Sequence, residues 1–145
     1  MPLAHIHLLR GHSRAVLKRI VCDVTGAMSQ VLKAPKERFI VWITEVDPDL
    51  WGVEGRPASE ALAQSDLSAV EVPFVQMVLM EGRTPAQYHA VIDGVSEAIA
   101  RALNSDKSRV RVHLIQAQPD NWGIGGVPYS ILRADEIAAC ARATA

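Results

Sequence analysis

Cysteine is scarce in this sequence. Cys22 and Cys140 are the two cysteines among 145 residues, and they stand alone, without the spacing of a disulfide framework, a zinc site or a redox pair. We interpret both as small apolar side chains in a protein of a reducing compartment. The histidines form no ligand cluster in the sequence either, so we expect no metal site.

Concentrated charge and long apolar runs are also missing. Fifteen Lys and Arg residues oppose sixteen Asp and Glu residues, and no stretch concentrates basic residues over five or more positions. This pattern argues against a nucleic-acid or membrane-surface partner. No apolar run is long enough to span a bilayer, and no charged segment followed by an apolar one marks the start. We therefore expect a cytoplasmic protein.

The length and the apolar content favour one compact domain. A chain of 145 residues with 49% hydrophobic content can bury roughly two-thirds of the surface that it exposes when unfolded. Nothing in the sequence indicates a second independent core. We predict a single domain over residues 1–145.

An internal repeat organises this domain. When the sequence is aligned with itself at an offset of 71 residues, the matches run without a gap, which indicates a duplication. The most specific pieces are DLWGVEG and DNWGIGG, because Trp is rare and its spacing to three other residues is kept. The matched pairs are Pro2/Pro73, Leu8/Leu79, Gly11/Gly82, Val24/Val95, Leu32/Leu103, Arg38/Arg109, Val41/Val112, Pro48/Pro119, Asp49/Asp120, Trp51/Trp122, Gly52/Gly123 and Gly55/Gly126.

Each repeat predicts a strand, a helix and a second strand. Short apolar runs at residues 3–9 and 74–80 favour strands, and a glycine then breaks the chain. RFIVWITEV and RVRVHLIQ supply the second strands. Between them, apolar residues recur at helical spacing and are predicted to face the core. These residues are Leu17, Ile20, Val24, Met28 and Val31 in the first repeat and Tyr88, Val91, Val95, Ile99 and Ala102 in the second.

A strand, a crossover helix and another strand form a right-handed βαβ unit with parallel strands. We assign residues 2–57 to the first unit and residues 73–128 to the second. The linker between them has a possible helical turn in ASEALAQS. Residues 129–145 are predicted to form a short amphipathic helix or an arm that lies on a neighbouring subunit.

Two such units predict an α+β fold, in which a four-stranded sheet carries two helices on one face. The first strand is apolar on both sides, with Ala4, Ile6 and Leu8 on one side and Leu3 and Leu9 on the other. The second face must be buried against something, and only another subunit is available. We therefore expect an oligomer.

The start of the chain carries a candidate catalytic group. Methionine before a small residue is normally removed during synthesis, and removal of Met1 would leave Pro2 with a free secondary amine. An α-amino group has an unperturbed pKa of roughly 7.7–8.0, so burial and nearby positive charge would keep it neutral and basic. Such a group can move protons. Pro73, an amide inside the chain, has no lone pair to offer.

The two copies resemble a known family. PLAHIHLLRGHS and PFVQMVLMEGRT, each followed by a helix, a strand and a WG motif, are similar to the tautomerase superfamily, specifically to 4-oxalocrotonate tautomerase and its relatives. The resemblance spans residues 2–128 and is clearest in LMEGRT, VSEAIARAL, SRVRV and WGIGG. It implies a tautomerase/macrophage migration inhibitory factor-like fold in which one chain fuses two short units. Three such chains would rebuild the six-unit assembly of the family, which implies a homotrimer.

The resemblance also implies roles for individual residues. Pro2 matches the amino-terminal catalytic proline of the family. Arg83 matches the arginine that binds a substrate carboxylate, and Arg111 matches the arginine that binds and polarises the carbonyl side. Trp122 and Trp51 both fall where the family has an aromatic residue against the pocket.

The two copies divide these residues between them. The first copy has His12 and Ile40 where the second copy has its two arginines. His12 is a candidate substrate-binding residue because it can bind an anion, and an ordinary turn histidine is the alternative.

This set of residues predicts a cofactor-independent keto–enol tautomerase that acts on small unsaturated 2-oxo or 2-hydroxy acids. Pro2 would be the general base, and guanidinium groups suit carboxylate and enolate oxygens because they offer a rigid planar fork of donors. A tryptophan beside the amine would exclude water and disfavour the ammonium form. The expected partner is a small carboxylate substrate, and no metal or other cofactor is required.

Two alternatives stay open. A decarboxylating relative that acts on malonate semialdehyde uses an acid just before an Arg–aromatic pair, and Glu37 before Arg38 and Phe39 matches this in part, with Glu in place of Asp. The other alternative is a non-catalytic trimer in which a retained Met1 blocks the amine.

Overall fold

The repeat is visible as two successions of strand, long helix and strand. The computed structural model describes residues 2–145. The strands are β1 (Leu3–Leu9), β2 (Ile40–Val46), β3 (Gly52–Val53), β4 (Arg56–Pro57), β5 (Phe74–Met80), β6 (Arg111–Ala117), β7 (Gly123–Ile124) and β8 (Val127–Pro128), and the helices are α1 (Arg14–Leu32), α2 (Ala58–Leu62), α3 (Leu67–Val70), α4 (Pro85–Leu103), α5 (Tyr129–Leu132) and α6 (Ala134–Thr144). The predicted α+β fold is confirmed, as is the helical turn in the linker.

Four strands form one mixed sheet in the order β2-β1-β5-β6. Strands β1 and β2 are parallel, β5 and β6 are parallel, and the central pair β1 and β5 is antiparallel. In that central pair Leu3 lies opposite Val78 and His7 lies opposite Phe74. The start of the first repeat therefore meets the end of the first strand of the second repeat, and Pro2 and Pro73 lie at opposite ends of the sheet.

Helices α1 and α4 pack side by side on one face of this sheet. Their predicted apolar stripes are buried, apart from the partly buried Val31. The stripes meet the alternate apolar side chains of β1 and β5, which point to the same face. None of the helices within residues 2–145 has the length and apolarity needed to cross a bilayer.

The ends of the two long helices follow from their sequences. The Ser13 hydroxyl accepts a hydrogen bond from a backbone N–H of the first turn of α1. Thr84 and Gln87 form a reciprocal capping box at the start of α4. Lys33 and Asn104 end the helices in the left-handed conformation, with φ of 50° and 52°.

The other face of the sheet carries no helix. Its side chains form three rows across the four strands, which are Ile40–Leu3–Val78–Ile115, Trp42–His5–Gln76–His113 and Thr44–His7–Phe74–Arg111. Ile40, Trp42 and Ile115 are 47%, 38% and 41% exposed. The uncovered face is therefore apolar at the Pro2 end of the sheet and becomes polar toward the other end. We had expected apolar residues along the whole of this face.

The assignment of Leu9 to the uncovered face is wrong. Leu9 is fully buried and packs with Ala58, Ala61 and Val70 in a second small core. This core forms because the linker helices α2 and α3 fold over the end of β1. The linker is therefore part of the packed structure, and it covers the end of β1.

A glycine in the middle of α4 provides a test of the helix packing. A Cβ at Gly94 would meet Val31 Cγ2 at 3.7 Å and Ala27 Cβ at 3.8 Å, which are ordinary van der Waals contacts. Because Gly destabilises a helix interior by roughly 0.5–1 kcal/mol relative to Ala, Gly94→Ala should raise the free energy of unfolding by about this amount. Urea unfolding of both proteins measures the difference.

The matched control is Gly55→Ala, in the turn between β3 and β4. Gly55 has open space around it but a φ of +80°, so an added Cβ should destabilise the protein by about 1–2 kcal/mol. Equal stabilities of the two variants would contradict this account of α4.

Candidate active site

Pro2 lies in a cavity between the start of β1, the end of β5 and the C-terminal segment. The Pro2 side chain is buried, and its carbonyl oxygen accepts a hydrogen bond from Ile40 N at 3.2 Å. This bond continues the β1–β2 pairing and fixes the residue at the sheet end. The cavity has a volume of about 210 Å³ and is lined by Pro2, Ala34, Glu37, Arg38, Met80, Arg83, Ile124, Tyr129, Leu132 and Arg133.

The turn after β5 places Arg83 in this cavity. Gly82 adopts a φ of +95°, and Arg83 Nη1 donates to the Met80 carbonyl oxygen at 2.8 Å. The Tyr88 hydroxyl donates to the same oxygen at 3.2 Å, which ties the first turn of α4 to the end of β5. The ion pairs found among residues 2–145 do not include the Arg83 guanidinium. Its charge is therefore available to an anion that enters the cavity.

A second cationic group, Arg38, enters the cavity from the turn between α1 and β2. Arg38 donates two hydrogen bonds to Glu136 of α6, at 3.0 and 3.1 Å, and Arg133 Nη1 donates to the same carboxylate at 3.2 Å. The hydrogen bonds from Arg38 hold the pKa of Glu136 below its usual value. The same hydrogen bonds raise the pKa of Arg38. Helix α6 is therefore attached to the first repeat by a charged cluster at the cavity edge.

Tyr129 forms the wall between this cluster and Pro2. Burial raises the pKa of the Tyr129 phenol, so it stays protonated at neutral pH and can donate a hydrogen bond. Its backbone N–H donates to the Trp122 carbonyl oxygen at 2.6 Å, which fixes the start of α5 against the preceding turn. Three guanidinium groups line the cavity beside the carboxylate of Glu37, and two of them, those of Arg38 and Arg133, are paired with Glu136. The cavity is thus suited to a small anion.

Arg111 and Trp51 lie at the opposite end of the sheet. Both line a separate open cavity of about 610 Å³ together with His7 and Phe74. Arg111 is exposed in the outer row of the uncovered face, and its Nη1 donates to the Ser108 carbonyl oxygen at 2.6 Å. The antiparallel pairing of β1 and β5 separates this end from Pro2. Within one chain, the structure therefore does not bring Arg111 or Trp51 to the proposed base.

Two further predicted site residues also lie outside the Pro2 cavity. Trp122 is half-buried just before β7, and it is Ile124, two residues later, that lines the cavity. His12 Nε2 lies 2.8 Å from Glu71 Oε1, next to Pro73 in another cavity of about 300 Å³. In this conformation His12 binds a carboxylate of its own chain.

No direct signal in the sequence indicated Tyr129 and Arg133. At the offset of 71 residues they align with Ala58 and Leu62, so the comparison of the two repeats does not mark them as functional residues. The available signal was the end of the similarity after the WGIGG motif, where the second copy departs from the first. Within residues 2–145, no group of three or more His, Cys, Asp and Glu side chains is arranged to hold a metal ion.

These features together define a two-repeat α+β protein in which one small cavity holds a buried proline and an arginine that is not part of an ion pair among residues 2–145. The chain belongs to the tautomerase family, because the family model described as "Tautomerase enzyme" matches residues 2–61 and 73–130. The family is one of enzymes, and its members named below are isomerases. This chain carries two copies of the family unit.

Relatives and solved structures agree with this assignment. The 2-hydroxymuconate tautomerase of Pseudomonas putida is 45% identical over 56 residues, which cover 39% of this chain and 89% of the relative. The structure of a native fused 4-OT is 28% identical with a TM-score of 0.80 and covers 90% of this chain and 98% of that chain. A fused 4-OT described as an asymmetric trimer is 26% identical with a TM-score of 0.78, at the same coverage.

The ion pairs of Glu136 lead to a test of the cavity wall. In Glu136→Gln, Arg38 and Arg133 lose their shared carboxylate, so we expect α6 to detach more often and its backbone amides to exchange faster with solvent. Because the pKa of Glu136 is lowered in the folded protein, its contribution is fully present above the ordinary glutamate pKa of roughly 4.3 and is lost as the pH falls through the lower folded value. NMR signals of α6 should follow this titration.

The matched control is Asp135→Asn, which changes the neighbouring exposed acid of the same helical turn. Its amide exchange in α6 should stay close to that of the wild type. Unchanged protection of α6 in Glu136→Gln would show that packing alone holds the helix.

Proposed function

We propose that this chain is a cofactor-independent keto–enol tautomerase for small unsaturated 2-oxo or 2-hydroxy acids, with Pro2 as the general base. The observation that supports this most is the shared cavity of Pro2 and Arg83. In this proposal the guanidinium holds a substrate carboxylate, and the ring nitrogen moves a proton between oxygen and carbon.

The surroundings of Pro2 favour a neutral amine once Met1, which lies outside the described residues, has been removed. The side chain is buried, and Arg38, Arg83 and Arg133 line the same cavity. Burial and nearby positive charge both disfavour the ammonium form. The amine would take the proton of the 2-hydroxyl group and return it to a carbon of the conjugated chain. The negative charge of the intermediate dienolate would be stabilised by the guanidinium groups.

We further propose that the active form is a homotrimer. The uncovered sheet face exposes Ile40, Trp42 and Ile115, and a related fused structure is described as a trimer. Arg111 is presented on this same face, at the end away from its own Pro2. In a closed trimer, Arg111 of one chain would complete the Pro2 cavity of the next. Trp51 lies beside Arg111 and would arrive with it as an aromatic wall.

The two alternatives receive less support. Glu37 and Arg38 line the Pro2 cavity, as a lyase would require. However, the Arg38 guanidinium is already paired with Glu136, which makes it less available to a substrate. Relatives that are 45% and 40% identical are named 2-hydroxymuconate tautomerase, and the family is one of enzymes. A tautomerase is therefore the better proposal than a lyase or a non-catalytic trimer.

The repeat supplies a matched pair of variants to test the base. Pro2→Ala should lower kcat/KM for 2-hydroxymuconate or phenylenolpyruvate by about a hundredfold or more, because the secondary amine is lost. Pro73→Ala changes the equivalent buried proline of the second repeat, which has no free amine, and should retain most of the activity. Intact mass must first show that Met1 is absent. Equal activities of the two variants, or an inactive processed wild type, would contradict the proposal.

A mixing experiment tests whether Arg111 acts in a neighbouring chain. Pro2→Ala and Arg111→Ala should each be nearly inactive alone. After the two are unfolded together and refolded at equal amounts, sites that combine Pro2 of one chain with Arg111 of another should return about a quarter of the wild-type activity by random assortment in a cyclic trimer. Separately refolded samples, mixed afterwards, are the control. No recovery in the co-refolded trimer would contradict the action of Arg111 in a neighbouring chain.

A further inference from the structure

The cavity of the second repeat already contains a carboxylate. Glu71 is 3% exposed, although it is an ionisable residue at the end of the linker. Its Oε2 accepts a hydrogen bond from Leu9 N at 2.6 Å, and its Oε1 lies 2.8 Å from His12 Nε2. Pro73, two residues later, lines the same cavity of about 300 Å³. The buried Glu71 carboxylate has a partner for each oxygen, so the protein holds it in the way that it would hold a separate carboxylate ligand.

The repeat shows which position this carboxylate occupies. At the offset of 71 residues, Leu9 and His12 correspond to Met80 and Arg83, and Pro73 corresponds to Pro2. Met80, Arg83 and Pro2 together line the open cavity of the first repeat. The Glu71 carboxylate therefore occupies, in the second repeat, the place that an anion beside Arg83 would occupy at Pro2.

The linker backbone is held in the same cavity region. Arg109, the counterpart of Arg38, donates from Nε to the Glu71 carbonyl oxygen at 3.0 Å and from Nη2 to the Val70 carbonyl oxygen at 3.1 Å. Its counterpart instead binds Glu136. Ser105 also lines this cavity. Its Oγ is buried and has no hydrogen-bond partner among residues 2–145. The Ser105 hydroxyl is thus a polar group left for a small ligand in this cavity, whereas Arg109 holds the linker backbone.

We propose that the second repeat retains a carboxylate-binding site and that Glu71 is its built-in ligand. With Glu71 in place, its carboxylate occupies Leu9 N–H and His12, and its negative charge disfavours a second carboxylate in the cavity that remains, so a free anion is directed to the Pro2 cavity. Without the Glu71 side chain, Leu9 N–H and His12 lose their buried acceptor and the vacated space takes a small monocarboxylate such as acetate. This inference rests on the repeat geometry and stands whether or not Pro2 is catalytic.

Acetate rescue of Glu71→Ala tests the proposal. The variant should have a lower Tm than the wild type in sodium chloride. Replacing chloride with sodium acetate at equal ionic strength should raise its Tm by about 2–4 °C, because the ligand binds the folded state. Acetamide, which has the same shape but no charge, should have little effect. The wild type and Glu60→Ala, which removes an exposed glutamate of the same linker, keep only the Pro2 cavity as an acetate site and should therefore respond less than Glu71→Ala.

Backbone NMR locates the effect. In Glu71→Ala the Leu9 amide signal should shift on titration with acetate and stay unchanged with acetamide, whereas the wild-type signal should not shift with either. If Glu71→Ala does not fold in chloride, the folded fraction recovered on refolding in acetate or acetamide is compared in the same way. Equal effects of acetate and acetamide, or an equal response of the wild type, would overturn the proposal.

Discussion

The antiparallel pairing of β1 with β5 is the constraint on which the rest of the structure depends. It places the start of one repeat beside the end of the first strand of the other, so Pro2 meets Met80 and Arg83 within a single chain. The same pairing moves Arg111 to the far end of the sheet. One backbone register therefore brings Pro2 and Arg83 to one cavity and places Arg111 where it could reach a Pro2 cavity only in a neighbouring chain, as in the proposed trimer.

The cavities at the two ends of the sheet hold equivalent positions in the two repeats but contain different groups. At one end the cavity is lined by residues of α5 and the segment before α6, and it holds a guanidinium that is not part of an ion pair among residues 2–145. At the other end the linker enters beside Pro73, and its Glu71 is held by Leu9 N–H and His12. The replacement of an arginine by His12 suits this arrangement, because an imidazole can pair with a carboxylate that arrives from its own chain.

The sequence predicted the fold well because the duplicated strand–helix–strand pattern specifies local structure twice. It also predicted the partnership of Pro2 and Arg83, through the family resemblance. It could not predict that Arg111 lies far from Pro2 in one chain, because periodicity does not tell whether the two repeats pair parallel or antiparallel. Tyr129 and Arg133 were missed because their place depends on how the C-terminal segment packs, and Leu9 was misassigned because the linker folds back over β1.

The linker of residues 58–71 has one more consequence. In an assembly of separate identical short chains, every substitution appears in each unit at once, so a change that improves one site is imposed on all of them. Here a single gene encodes both units, and the covalent connection lets each unit change alone. The site of one repeat can therefore change by mutation while the other repeat keeps its sequence and its fold.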